Sequence, residues 1–221
     1  MELFQGLPAS ALEKVAAAGL LRRLPKDMRI FSQGDDGVRA HVVIAGGVRI
    51  SQAGSDGAEV VIRFIGPGEM FGTVSLFTDG RYPADAVAVV DTIEVSWSEA
   101  ELLALIDSHA QIGINVIRII GKRLQEAQER VRELATQRAE RRVARALLRL
   151  AHQTGGRPID GTAITFPLRR KDVADIAGTT LYTASRILNA WEKAGFLATH
   201  AQRMIIRRSS EILRIAEDAA D

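Results

Sequence analysis

Apolar residues recur at spacings of three and four over one stretch of the chain: Ala110, Gly113, Ile117, Ile120, Leu124, Ala127, Val131 and Leu134. Charges fill the outer positions from Lys122 onward. A seam held this long predicts a helix that wants another helix. A helix lying on its own domain shows a broader stripe, and Ile112, Ile114, Val116 and Ile119 supply one near the start. The first turns are therefore expected to pack both on the preceding domain and on a second copy of the chain. The later turns then form a two-stranded coiled coil in a homodimer. Packing within one chain is the alternative.

Ahead of the seam the period changes. From Met28 to Trp97 the text is short valine- and isoleucine-rich pieces, such as "AHVVIAGGVRI" and "AVAVVDTIEV". Turn signals stand at Gly34, Gly46-Gly47, Ser55-Asp56-Gly57 and Gly66-Pro67-Gly68. That spacing predicts an all-β roll or barrel built of hairpins. Such a barrel can enclose one small effector, or it can be a filled scaffold. "GPGEMFGTVSLFTDGRYPADAVAV" interrupts the strands with Gly66, Gly68 and Gly72, a short helix-capable piece, then Gly80 and Pro83. Backbone amides after the glycines would suit an anion. Arg81 is the one cation nearby in sequence, and glycines that only make tight turns explain the stretch equally well.

Behind the seam the pattern is helical again. Thr136 is placed to cap a new helix whose apolar period runs through Val143, Ala146-Leu147 and Leu150. Gly155-Gly156 and Pro158 stop it. "AITFPL" reads as a strand, and "RRKDVADIAG" as a helix with Val173, Ile176 and Ala177 inward, ending on Gly178. Thr180 caps the next helix, which buries Ala184, Ile187, Leu188 and Trp191 and turns Tyr182, Thr183, Ser185, Arg186 and Asn189 outward. "FLATHAQRMIIRR" reads as two short strands around a turn. Helix, turn, helix and β-wing make a winged helix-turn-helix. The expected fold is α+β: a roll over 1–105, a dimerisation helix over 106–135 and a winged helix-turn-helix over 136–221.

Charge gives the last module a partner. Residues 1–105 carry 9 basic and 14 acidic side chains, a balance of −5, whereas 136–221 carry 15 and 9, a balance of +6. A basic rear module with an exposed polar helix face points to double-stranded DNA. Arg186 can offer a bidentate fork to guanine. Arg169, Arg170, Lys171, Arg203, Arg207 and Arg208, with Thr180 and Thr183, are candidates for the phosphate backbone. A scaffold that uses the roll for protein binding is the rival. Cysteine is absent, which excludes disulfides, thiolate metal sites and cysteine-ligated iron–sulfur clusters. No nucleophile–base spacing supports an enzyme. Apolar runs are too short for a membrane span and no leader pattern opens the chain, so a cytoplasmic protein is the default.

Together, "FSQGD", "GPGEMFG", "RKDVADIAG" and "TASRIL…WEKAGFL" make the chain resemble, over essentially its whole length, the cyclic-AMP receptor protein and anaerobic-regulator (Crp/Fnr) superfamily. The resemblance implies a dimeric transcription regulator that senses an effector in a cyclic-nucleotide-binding-like roll, reads palindromic DNA and, as an activator, meets RNA polymerase. It places the base-reading residues at Tyr182, Ser185 and Arg186; tyrosine stands where the family has glutamate. The effector pocket falls on Gly72, Thr73, Arg81, Pro83 and Ala84. Here Thr73 replaces a glutamate and Pro83-Ala84 an arginine–serine pair, so the charge that would offset a buried cyclic phosphate is missing. The segment "GTTLYTASRILNAWEKAGFL" is similar to the nitric-oxide-responsive regulators of denitrification, some of which use haem. That similarity makes haem a possible cofactor, a gas or small molecule a possible effector, and His41 and His109 the histidines to consider as ligands.

Overall fold

A computed structural model describes residues 1–153, 161–164, 166–200 and 203–217. The stop at Gly155-Gly156 and Pro158, and the turn of the wing at 201–202, lie outside the described residues. Helix α1 (Ala9–Ala18) precedes the roll. One antiparallel sheet orders β1 (Leu20–Leu24), β8 (Thr92–Ser98), β3 (Arg39–Ala45) and β6 (Met70–Phe71). The other orders β2 (Arg29–Phe31), β7 (Asp85–Ala88), β4 (Val48–Ala53) and β5 (Glu59–Ile65). Phe31, Val43, Val48, Ile65, Phe71 and Ala86 are buried together as the core of the roll.

Helix α2 (Glu99–Ser108) opens on a capping box: Ser98 Oγ accepts from the Glu101 amide and the Glu101 carboxylate accepts from the Ser98 amide. The chain then bends by 117° into α3 (Ala110–Thr136). His109, predicted in the first turn of the long helix, is instead the cap shared by α2 and α3, with φ −144° and ψ 82°. The 105/106 division thus falls inside α2. Ile112, Val116 and Ile119 are buried in the same cluster as Trp97 of the roll, while Ile114 turns outward. The seam lies open: Ile117 is 71% exposed, Leu124 60% and Val131 67%. Among the described residues no single helix is long and apolar enough to cross a membrane.

Thr136 does not cap the following helix. It is the last residue of α3, and its hydroxyl donates to the Arg132 carbonyl. Helix α4 (Ala139–His152) starts after Arg138 without a side-chain cap, and long-range bonds fix the junction instead. Buried Glu133 accepts from Arg145 at 3.0 Å and Arg149 at 3.1 Å, while Arg142 donates to the carbonyls of Gln137, Ala177 and Gly178. The strand predicted over 163–168 is also shorter: β9 covers Thr162–Ala163, and Phe166 and Leu168 enter the core. Then follow α5 (Arg170–Ala177), α6 (Leu181–Lys193), β10 (Leu197–His200), β11 (Arg203–Ile206) and α7 (Ser209–Glu217), with the wing ordered β10-β11-β9.

The rear module is not held by α3 alone. Val61 and Phe64 of β5 belong to its core, and Phe64 stacks on Phe166 with ring centroids 4.8 Å apart. Asp175 of α5 accepts from the Val61 amide at 3.1 Å, and Arg130 of α3 donates to both Ile62 O and Asp175 O. Roll, long helix and rear module therefore meet at one place.

Candidate nucleic-acid face and effector cavity

The turn between α5 and α6 needs glycine for its backbone, and a side chain there would also have to displace Leu134. Gly178 has φ +61°, and a Cβ there would come within 2.2 Å of Leu134 Cδ2. With Gly178 left-handed, its amide reaches Asp175 O and the Thr179 amide reaches Ala174 O, closing α5. Thr180 Oγ1 then accepts from the Thr183 amide at 3.1 Å and starts α6. Ala184, Ile187, Leu188 and Trp191 are buried, as their spacing predicts. The opposite face is open: Tyr182 is 79% exposed, Arg186 and Asn189 are exposed, and Ser185 and Thr183 are half-buried. Among the described residues no hydrogen bond or ion pair engages the Arg186 side chain.

The flanking cations divide into two groups. Arg203, Arg207 and Arg208 are exposed on and just after the wing. The three at the start of α5 are engaged within the chain. Arg169 pairs with buried Asp172 at 2.8 Å, Arg170 donates to Ser185 O and to Glu192, each at 3.0 Å, and Lys171 reaches Asp175 and Glu59 O. Arg170 thus joins α5 to the back of α6. Thr180 and Thr183 spend their hydroxyls on each other and on the cap.

A cavity of about 380 Å³ lies where the three modules meet. Gly72, Pro83 and Ala84 line it. Gly72 has φ +75°, and a Cβ there would sit 2.8 Å from Arg39 O. Thr73 is buried with its hydroxyl unpartnered and is not part of the lining. Arg81 is not there either, because it turns outward to pair with Asp36. The expectation that cations are scarce around this pocket is overturned: Arg63, Arg123, Arg130 and Arg149 line it. Three of the four come from α3 and α4, far in sequence from the glycine-rich stretch, and local reading missed them. Phe31 stacks on Tyr82 against the cavity, with centroids 3.6 Å apart.

His41 is no open ligand. It is buried, with Nδ1 3.0 Å from Glu94 and Nε2 3.2 Å from the Tyr82 hydroxyl, and its ring stacks on Phe71. Glu94 also receives Arg22. Burial alone would raise the Glu94 carboxyl, but the His41 and Arg22 contacts outweigh it and hold the group below the usual carboxylate range. His109 has a buried, unpartnered Nδ1 at the α2–α3 bend, outside the cavity lining. Neither histidine faces the cavity, so the haem ligands considered from the sequence do not fit it.

Residues 21–109 match the cyclic nucleotide-binding domain model, and residues 141–214 match the Crp-like helix-turn-helix domain model. The chain is 32% identical over 214 residues to the cyclic AMP receptor protein of Thermus thermophilus, covering 97% of this chain and 96% of that one. This chain belongs to the Crp/Fnr family of transcription regulators. It is 32% identical over 209 residues to the nitrogen fixation regulation protein FixK of Azorhizobium caulinodans, covering 93% of this chain and 82% of the relative. In fold it matches FixK2 from Bradyrhizobium japonicum with a TM-score of 0.77 at 24% identity, over 91% of this chain and 99% of that one. Membership of Crp/Fnr makes the protein a non-catalytic, DNA-binding regulator.

Proposed function

We propose that this protein is a homodimeric Crp/Fnr regulator that reads a palindromic DNA site through α6 and is controlled by an effector, other than cyclic AMP, in the roll cavity. The observation that carries the DNA reading is the open face of α6, where exposed Arg186 has no partner among the described residues and Tyr182 and Ser185 lie on the same turns. Arg203, Arg207 and Arg208 supply phosphate contacts beside it, whereas Arg169, Arg170 and Lys171 mainly hold the module together. The exposed seam of α3 supports the dimer. A two-fold dimer sets its half-sites about 34–36 Å apart, one helical turn of DNA. Sedimentation at micromolar concentration, with selection from random duplexes, tests both halves. A monomer that selects no palindrome overturns them.

Pro83 and Ala84 support an effector other than cyclic AMP, since they offer neither charge nor hydroxyl at the two positions where the resemblance puts the phosphate-binding arginine and serine, and the cations of the cavity stand elsewhere, on β5, α3 and α4. Calorimetry with cyclic AMP and cyclic GMP is expected to show nothing tighter than millimolar. Micromolar binding breaks this part alone.

A further inference from the structure

We propose that the cavity takes an anionic small molecule with an apolar body, its charged group held by Arg123 and Arg130 of α3. This deepens the reading of the roll as an effector domain and rests on it. The four arginines around the cavity are not equivalent. Arg63 pairs with Glu69 and Arg149 with Glu133, each at 3.1 Å. Arg123 and Arg130 pair with no carboxylate among the described residues. Arg123 donates to Met70 O, and Arg130 to Ile62 O at 3.0 Å and Asp175 O at 2.9 Å. A carbonyl dipole orients a guanidinium without neutralising it. Among the described residues, Glu126, exposed and without an ion pair, is the one carboxylate in the lining. With Glu69 and Glu133 assigned to their partners, two arginines face one carboxylate, and the cavity holds a surplus positive charge.

That surplus is partly taken out of water. Burial, with the repulsion of Arg63 added to it, pushes Arg123 down to about 10, and burial lowers Arg130 too. Both remain charged at neutral pH. Glu69, Glu126 and Glu2 offset part of the cost of burial for Arg123, and Glu133 and Asp175 part of it for Arg130, but burial still prevails, and an anion of matching shape in direct contact lowers the remaining cost. Each guanidinium has five N–H donors, so both keep donors free for a carboxylate, sulfonate or phosphate. Phe31, Ile50, Phe64, Phe71, Val74 and Tyr82 give the rest of the molecule an apolar bed. The volume lies within the range of small-molecule sites. Ile176 of α5 and Leu150 of α4 line the same space, so an occupant touches the DNA-binding module directly.

The test is calorimetry on the full chain with 2-naphthoate, decanoate and phenyl phosphate, each set against its neutral counterpart, 2-naphthamide, decanol or phenol. At least one anion is expected to bind tenfold or more tightly than its counterpart. R123Q and R130Q are expected to erase that preference, and R123K to keep most of it. In the unsubstituted protein the same anion is expected to protect Arg123 and Arg130 from phenylglyoxal, read by mass spectrometry, which covers the case of a variant that does not fold. No charge preference for any of the three pairs overturns the proposal, and so does absence of protection. DNA affinity measured on the same samples separates the two readings. Anion binding without duplex binding breaks the regulator assignment and leaves the site standing, whereas duplex binding without charge preference removes the site alone.

Discussion

The outer faces of α3 and α6 both lie uncovered, and they need opposite things. On α3 the open residues are aliphatic, with Ile117, Leu124 and Val131 each more than half exposed. Their free energy falls when any complementary apolar surface removes water, and the two-fold copy of the same seam is such a surface. On α6 the open residues are Tyr182, Arg186 and Asn189, which gain little from mere burial and lose much if buried unpaired. Their partner must supply acceptors at defined positions, as base edges do. On the proposed reading the apolar face sets assembly, and the polar face sets sequence choice. A change on one should leave the other's readout largely intact.

The largest effect is expected from the apolar face. In the proposed dimer, Leu124→Glu removes from each copy a leucine that the partner covers, about 1.5–3 kcal/mol apiece, and adds two like charges across the seam. Dimerisation should weaken by at least about a hundredfold in sedimentation, while circular dichroism stays near that of the unsubstituted protein. An unchanged dimer would show that the seam packs elsewhere.

Arg186→Ala comes next. It is expected to cost about 1–3 kcal/mol of discrimination at one base pair per half-site, with the melting temperature and dimer affinity unchanged. Fluorescence anisotropy on cognate and guanine-substituted duplexes reads this. Retained discrimination assigns base reading to another residue of the face.

Arg170→Ala sharpens the contrast between engaged and free cations. Its loss frees Ser185 O and Glu192, part-buried acceptors that tie α5 to α6. Stability should fall by about 1 kcal/mol in urea unfolding, and all duplexes should bind more weakly by a similar factor. A phosphate contact would instead leave stability unchanged and lower the salt slope by about one unit.

The smallest effect concerns neither face. Glu94 has its folded pKa depressed, so its contribution is complete above the ordinary carboxylate range and is lost as pH falls through the lower folded value. Unfolding followed between pH 6 and 3 is expected to show the roll losing stability only below about pH 4.5. Glu94→Gln should flatten that dependence. Equal acid sensitivity in both proteins removes the His41–Glu94–Arg22 cluster as its source.

The sequence by itself determined what lies along one element. The seam of α3, the buried stripe and open face of α6, the Thr180 cap and the Gly178 stop are all written within a few turns, because helical periodicity maps neighbours in sequence onto one face. The roll was legible for the same reason, from short runs and turn glycines. Only the tertiary structure decided what segments far apart do to one another. Thr136 was well suited to a cap, yet α3 runs through it, since Glu133 with Arg145 and Arg149, and Arg142 with the α5–α6 turn, fix the junction from a distance. The cavity draws its cations from β5, α3 and α4 rather than from the glycine-rich stretch, and Arg81, adjacent in sequence, points away. A cation's role depends on whether a carboxylate lies within reach in space. Nothing in the local text separates Arg63, which has an ion pair, from Arg123, which has none among the described residues.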